Sequence, residues 1–588
     1  MLRTIYKSKK LVCALLTVGM VGCTNLEEKV IDEMLGSESA QPQNALAAAY
    51  NRLSNATFVD HGNVFALQSY ATDEALLPTR GSDWGDGGRW RVFHEFTWGP
   101  SDAVLATAWN NLTNGITQSL TAIGTISGQD FPDKAMYVAE AKGLLAFYTF
   151  HTLDLFGQAP YRDPLNLDAP LEVLQASTAI DVLIQQVEAL IPDLANVGER
   201  STHSGRFTKQ GAYGLLADMY LNRAVFKNRY AADFDFDEQA VDGNGSDMDK
   251  VIQYTSELIG SGRFNLESNY FRNFDIDNAG RPEMIFVASQ DNNTLRGSDS
   301  DLAYMPMERN QKPSPANRGT NASCITPEFY YSWEGNFDDP RFHRHYQYSD
   351  GTWFMNDGTD VSVPATSIVP NSDGLPWFHF NRGIMAGQQY GPTLLPSGGF
   401  EMTADGRIKV NKLYCEKNTT LAMDFTPELN FDNPAQSVFT QAQINRGARV
   451  FKWEFDPENG NGTSNVDVPL YRLGGIYCMR AEAYFRKGQT AEALADINML
   501  RTSRTREALF NNAPGRALDV LDEQTLYNEI GYEMYWELNR RKQMIRFGKF
   551  ENAFSAKPVS QPFRRIYPIP QTTMDASDAF DQNEGYDN

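Results

Sequence analysis

The stretch Leu470-Tyr-Arg-Leu-Gly-Gly-Ile-Tyr-Cys-Met-Arg-Ala-Glu-Ala-Tyr-Phe-Arg-Lys-Gly-Gln-Thr-Ala-Glu-Ala-Leu-Ala-Asp-Ile-Asn-Met-Leu500 decides the fold class. Leu473, Ile476, Tyr477, Ala481, Tyr484 and Phe485 recur at i, i+3, i+4, i+8, i+11 and i+12, which gathers them on one helix face. Gly488 allows a tight turn, and Ala491 to Leu500 makes a second helix. Small residues such as Ala481 and Ala493 let the two axes approach. The spacing predicts a helical hairpin.

Upstream of that hairpin the same period dominates from about 100 to 260. Ala139 to Leu155 is rich in Leu, Phe and Tyr and stops at Phe156-Gly157. Ser177 to Leu190 begins with Ser177 or Thr178 as a cap and stops before Pro192. Thr208 opens a helix through Asn222, and Met248 to Ile259 ends at Gly260. The pattern Ala481-x-x-Tyr-Phe-x-x-Gly488-x-x-x-x-Ala493 is similar to a tetratricopeptide hairpin, and the earlier helix pairs have its proportions. Residues 262–445 lose the helical period. They are rich in Gly, Pro, Asn, Asp and aromatics, with short strand-like runs such as Met284 to Ser289. A non-helical insertion of that size is expected to be functional.

At the other end, Lys7, Lys9 and Lys10 precede the apolar run Leu11 to Gly22, which stops at Cys23. The run is too short for a bilayer, where about 20 residues are needed, and it reads as a secretory signal over 1–22. Cys23 is the candidate lipidation site, and 23–40 is expected to be a tether. The remaining 41–588 is read as one domain.

The chain carries a formal charge of −22, a surface that repels nucleic acid and anionic lipid and disfavours polyanionic ligands. Of five cysteines, Cys13 leaves with the signal. Cys324, Cys415 and Cys478 match no zinc spacing and allow at most the pair Cys324–Cys415. Cys478, within the helical stretch, is expected to be a small buried hydrophobe.

Several segments together resemble the SusD/RagB family of Bacteroidota outer-membrane lipoproteins. They are Trp109-Asn-Asn-Leu, Ala139-Glu-Ala-Lys-Gly through Phe156-Gly-Gln-Ala-Pro160, and Gly205-Arg-Phe-Thr-Lys-Gln-Gly-Ala212. Downstream come Tyr471-Arg-Leu with Arg480-Ala-Glu-Ala483, Tyr532-Glu-x-x-Trp-Glu-Leu-Asn-Arg-Arg541 with Ile545-Arg-Phe-Gly548, and Tyr567-Pro-Ile-Pro570. Gln543-Met544 departs from the family pattern, which often has an acidic residue there. The resemblance implies a mainly α fold with four tetratricopeptide-like helical hairpins at about 100–260 and 470–550. It places the ligand site in an irregular, loop-rich part at about 55–100 and 262–445. It also implies capture of an oligosaccharide or polysaccharide at the cell surface, a lipid anchor through Cys23, and delivery to a SusC-like TonB-dependent transporter. Glu27 and Glu28 resemble a short surface-export tag.

A sugar offers apolar C–H faces and hydroxyl edges, so its site needs flat aromatic rings beside short polar groups. Loop 73–98 supplies Asp73, Arg80, Asp83, Trp84, Asp86, Arg89 and Trp90. The insertion supplies Trp333, Trp353, Trp377, Arg382 and Tyr390. These are the candidate ligand-binding residues, while Trp98, Trp109, Trp453 and Trp536 are expected to be core. No catalytic residues, metal ligands or cofactor are expected. The acidic loop Asp233 to Asp249 has oxygen ligands suited to Ca²⁺ but lacks EF-hand spacing, and His343-Arg-His345 has no evident third ligand. A neutral glycan such as a β-glucan or a fructan fits the charge. The alternatives are a peptide-binding uptake lipoprotein of the same fold and a glycoside hydrolase, since carboxylates are plentiful. No nucleophile elbow, zinc motif or phosphate loop is present.

Overall fold

The computed structural model describes residues 42–586 except 82, 85, 167, 292–299, 368–373, 430–442, 458–463 and 556. The signal, Cys23, the tether, Glu27 and Glu28 lie outside the described residues. The scaffold helices are α1 (Pro42–Arg52), α2 (Ala103–Ser127), α3 (Lys134–Phe156), α4 (Ala176–Leu190), α5 (Lys209–Lys227) and α6 (Asp247–Gly260). After the insertion come α7 (Leu473–Arg486), α8 (Thr490–Ser503), α9 (Glu523–Met534) and α10 (Arg540–Arg546).

Thr208 caps α5 by accepting from the Gly211 N–H at 3.3 Å. Ser246 and Asp249 form a reciprocal capping box on α6. Gly157, at φ 70°, closes α3 in the left-handed conformation. The start of α4 corrects the expected cap. Neither Ser177 nor Thr178 caps it, because strand Glu172–Gln175 runs straight into the helix. The Ala176 N–H donates instead to the Gly157 carbonyl at 2.9 Å.

Consecutive helices pack on one another from α1 through α6. The order then continues across the insertion, because α6 packs on α7 and α7 on α8 and α9. At one crossing Gly115 of α2 meets the ring of Tyr148 on α3, where a Cβ would lie 2.5 Å from the ring. Cys478 is buried as expected, and Cys324 and Cys415 are free, buried thiols.

The insertion is not uniformly irregular. Its two ends are stapled together, because strand Met284–Ala288 pairs antiparallel with Val468–Arg472. Beyond the staple, strand Arg382–Met385 lies between His343–Arg344 and Arg449–Phe451. Ile408–Lys412 lies between Tyr390–Pro392 and Ser362–Val363, and short hairpins join Tyr346–Gln347 to Trp353–Phe354 and Thr366–Ser367 to Pro376–Trp377. Phe354, Phe378, Phe380, Ile408, Met423 and Phe425 form a second apolar core there, separate from the helical one.

A buried ionic network holds the staple to the late helices. Arg472 donates to Glu283 at 3.1 Å, Glu533 at 2.7 Å and Glu537 at 2.6 Å. Arg504 also reaches Glu533, at 2.6 Å. Burial pushes the Glu533 carboxyl up, but Arg504, Arg472 and Arg341 outweigh it and hold the group down at about 2. Such a network fixes which groups meet more than it adds net stability.

Candidate functional site

A cleft of about 310 Å³ opens on the insertion. Its aromatic lining includes Trp353 and Tyr346 from one hairpin, Trp377 from another, and His379, which follows Trp377. Trp353 is half-buried, whereas Trp377 is only 5% exposed. Tyr346 and His379 stack with ring centroids 4.1 Å apart. The Asn381 side-chain oxygen accepts from the Tyr346 N–H at 3.0 Å, which fixes the strand that carries the ring.

Polar lining comes from Arg272, Asp275, Arg344, Arg382 and Glu454. Arg382 is locked in place. It donates to Asp275 at 2.5 Å, to the Phe451 carbonyl at 3.1 Å and to the Phe274 carbonyl at 3.2 Å, and it also bonds the Lys452 carbonyl. Glu454 accepts from the Ile276 N–H at 2.7 Å. Burial, with the Asp275 carboxylate beside it, pushes Glu454 up to about 7. Burial and the nearby Arg382 push the His379 imidazole down to about 4. The cleft therefore presents neutral aromatic faces next to a fixed guanidinium and carboxylates. That combination can stack a flat apolar surface and bond a polar edge.

The structure brings together two of the expected site residues, Trp353 and Arg382, along with the candidate Trp377. The others lie elsewhere. Trp333 is fully buried and stacks on Tyr532 at 3.7 Å, so it is core. Trp90, 6% exposed, packs on His61 and Tyr70. Arg80 is fully buried and spends its guanidinium on the carbonyls of Ala322, Gln443 and Arg446. Buried Asp83 pairs with Arg309 at 2.5 Å. These four expectations are corrected: the four side chains lie outside the cleft and are more than nine-tenths buried, with their rings or polar groups already taken by neighbouring residues.

Asp86 folds its own loop, accepting from Gly88 N–H at 3.1 Å, Trp90 N–H at 3.0 Å and Thr79 Oγ1 at 3.1 Å. Asp73 pairs with Arg540 at 2.6 Å. Trp84 is half-buried against the helical core. Tyr390 is half-buried with its N–H bonded to Asn356 at 2.8 Å, outside the cleft. Trp98, Trp109 and Trp536 are core as expected, whereas buried Trp453 also lines the cleft. Sequence reading missed Tyr346 and His379, whose signal was their place beside Trp353 and Trp377.

In the acidic loop, Asp242 pairs with Lys250, Asp237 and Asp249 with Lys487, and Asp247 with Arg223. His345 pairs with Glu507 at 2.6 Å. Among the described residues, Asp60, His61 and Asp301 converge closely enough to hold a cation, and there His61 is already bonded to Asp301.

The chain is 25% identical, over 89% of its length and 85% of the relative's, to the starch-binding protein SusD of Bacteroides thetaiotaomicron. A solved laminarin-binding SusD-like protein superposes with a TM-score of 0.61 at 18% identity, covering 93% of this chain and 99% of that one. Surface glycan-binding protein A from Bacteroides thetaiotaomicron, in complex with laminarihexaose, gives 0.57 at 16% identity, covering 92% and 98%. The SusD family model matches residues 282–586, and the chain belongs to the SusD family.

Proposed function

We propose that this chain is a cell-surface glycan-binding lipoprotein, anchored through Cys23, that captures a neutral oligosaccharide or polysaccharide and passes it to a TonB-dependent transporter. The observation that carries the reading is the cleft itself. Trp353 and the Tyr346–His379 stack supply apolar faces beside the locked Arg382–Asp275 pair. A pyranose or furanose chain needs both kinds of surface. Starch, laminarin and laminarihexaose, the ligands named for the relatives, carry no charge. The acidic chain favours an uncharged ligand for the same electrostatic reason. Among neutral glycans a glucan is the preferred reading over a fructan.

The protein binds without cleaving and uses no cofactor in this reading. The relatives are named as binding proteins. Among the described residues no helix is long and apolar enough to cross a membrane, so attachment would fall to the lipid. The test is native electrophoresis through gels containing starch, laminarin or a fructan, with a reducing-end assay alongside. Retardation by a neutral glycan without release of reducing ends supports the proposal. Retardation by none of them, or cleavage of the retained glycan, overturns it.

A further inference from the structure

We infer that the cleft continues past His345 onto Phe510, giving a second aromatic platform that makes the chain select oligosaccharides by length. This rests on the reading of the cleft as a glycan site. Phe510 is 47% exposed, and its neighbour Leu509 is 36% exposed. A large apolar ring held in water contributes little to folding where it stands. Among the described residues its ring neighbour is His345, 5.7 Å away and tilted by 55°. His345 itself lines the cleft. Phe510 is therefore one side chain beyond a residue of the cleft wall.

The loop that carries Phe510 is built rather than loose. Glu507 accepts from the His345 ring at 2.6 Å, and the Arg344 guanidinium donates to the Thr505 carbonyl at 2.9 Å. Those two bonds clamp the loop to the strand at the cleft edge. Within the loop the Phe510 N–H donates to Glu507 at 2.9 Å, and the Arg506 N–H to Ala513 at 2.8 Å. Asn511 and Asn512 follow in left-handed conformations, at φ 69° and 49°, and both are exposed. Asn is among the residues that tolerate that backbone best. A preformed ring flanked by two amides offers a sugar one stacking face and several hydrogen-bond groups with little ordering cost.

The experiment is calorimetric titration with β-1,3- and α-1,4-linked gluco-oligosaccharides of graded length, from the disaccharide upward. Wild type, Phe510→Ala, Phe510→Tyr and Trp353→Ala are compared. Wild-type affinity should rise with length. Phe510→Ala should lose about 3- to 10-fold on the longest oligomers, the size of one aromatic contact, and nothing on the shortest. Phe510→Tyr should keep wild-type affinity, because the platform survives. If Phe510→Ala matches wild type at every length, or loses equally at every length, the second platform is overturned while a loss in Trp353→Ala still upholds the cleft. If Trp353→Ala binds as wild type does, or no oligomer binds at all, the cleft reading fails and the inference falls with it.

Discussion

Tyr346 and His379 lie face to face on the cleft, with ring centroids 4.1 Å apart and planes 10° from parallel. One ring comes from the strand Tyr346–Gln347, the other from the residues just after Pro376–Trp377. The stack ties two hairpins together at the place where a ligand would rest. It also needs the imidazole to stay neutral, since a charge there would be poorly solvated.

That requirement gives a pH dependence with a definite sign. Burial and Arg382 place the folded-state pKa of His379 at about 4, below the unfolded value of about 6.5. Between those values the unfolded chain binds the proton and the folded chain does not, so stability falls as pH drops from about 6.5 to about 4. His379→Phe keeps the stack and removes the titration. Thermal melts should show its stability relative to wild type rising as the pH is lowered through that window. A constant difference across the window would contradict the assignment.

Glu454 titrates in the opposite sense. Its folded-state value of about 7, raised by burial and then by Asp275, lies above the unfolded value of about 4.3. The folded state holds the extra proton between the two, so the stability this group contributes is fully present at low pH and is lost as pH rises to about 7. Glu454→Gln still offers an oxygen to the Ile276 N–H. Its melting temperature should gain on that of wild type as pH rises from 4.5 to 7.5, and a gain in the reverse direction would refute the assignment.

Trp333 is predicted to matter for folding and not for binding. It is fully buried against Tyr532, so Trp333→Ala should cost about 3–5 kcal/mol in urea unfolding. The fraction that remains folded should bind glycan with wild-type affinity. Loss of affinity at unchanged stability would return Trp333 to the binding surface.

The helical scaffold was legible because one-sided burial writes its period into the sequence. The spacing of Leu473 to Phe485 predicts α7, and Thr208, read as the opening of a helix, stands at the cap of α5. Pairing of α6 with α7 across the insertion was not legible, because nothing local in Gly260 or Leu473 records a contact so distant in the chain. The aromatic residues of the loops were harder still. Trp90 sits among Gly, Asp and Arg and Trp353 among Gly, Asn and Asp, yet Asp86 turns its loop so that Trp90 points inward, while the Tyr346–Gln347 pairing presents Trp353 at the cleft. Composition records that a loop exists, but the side to which its rings turn depends on partners far along the chain. Arg80 shows the same limit, since its three carbonyl partners lie more than 200 residues away.

The account stands on Trp353, the half-buried tryptophan at the cleft. The direct measurement is the dissociation constant of purified wild type and Trp353→Ala for whichever neutral glucan retards the wild type, taken alongside their melting temperatures. The account predicts a loss of affinity of about tenfold or more, roughly 1.4 kcal/mol, with little change in melting temperature. Equal affinities, with both proteins folded, would contradict it.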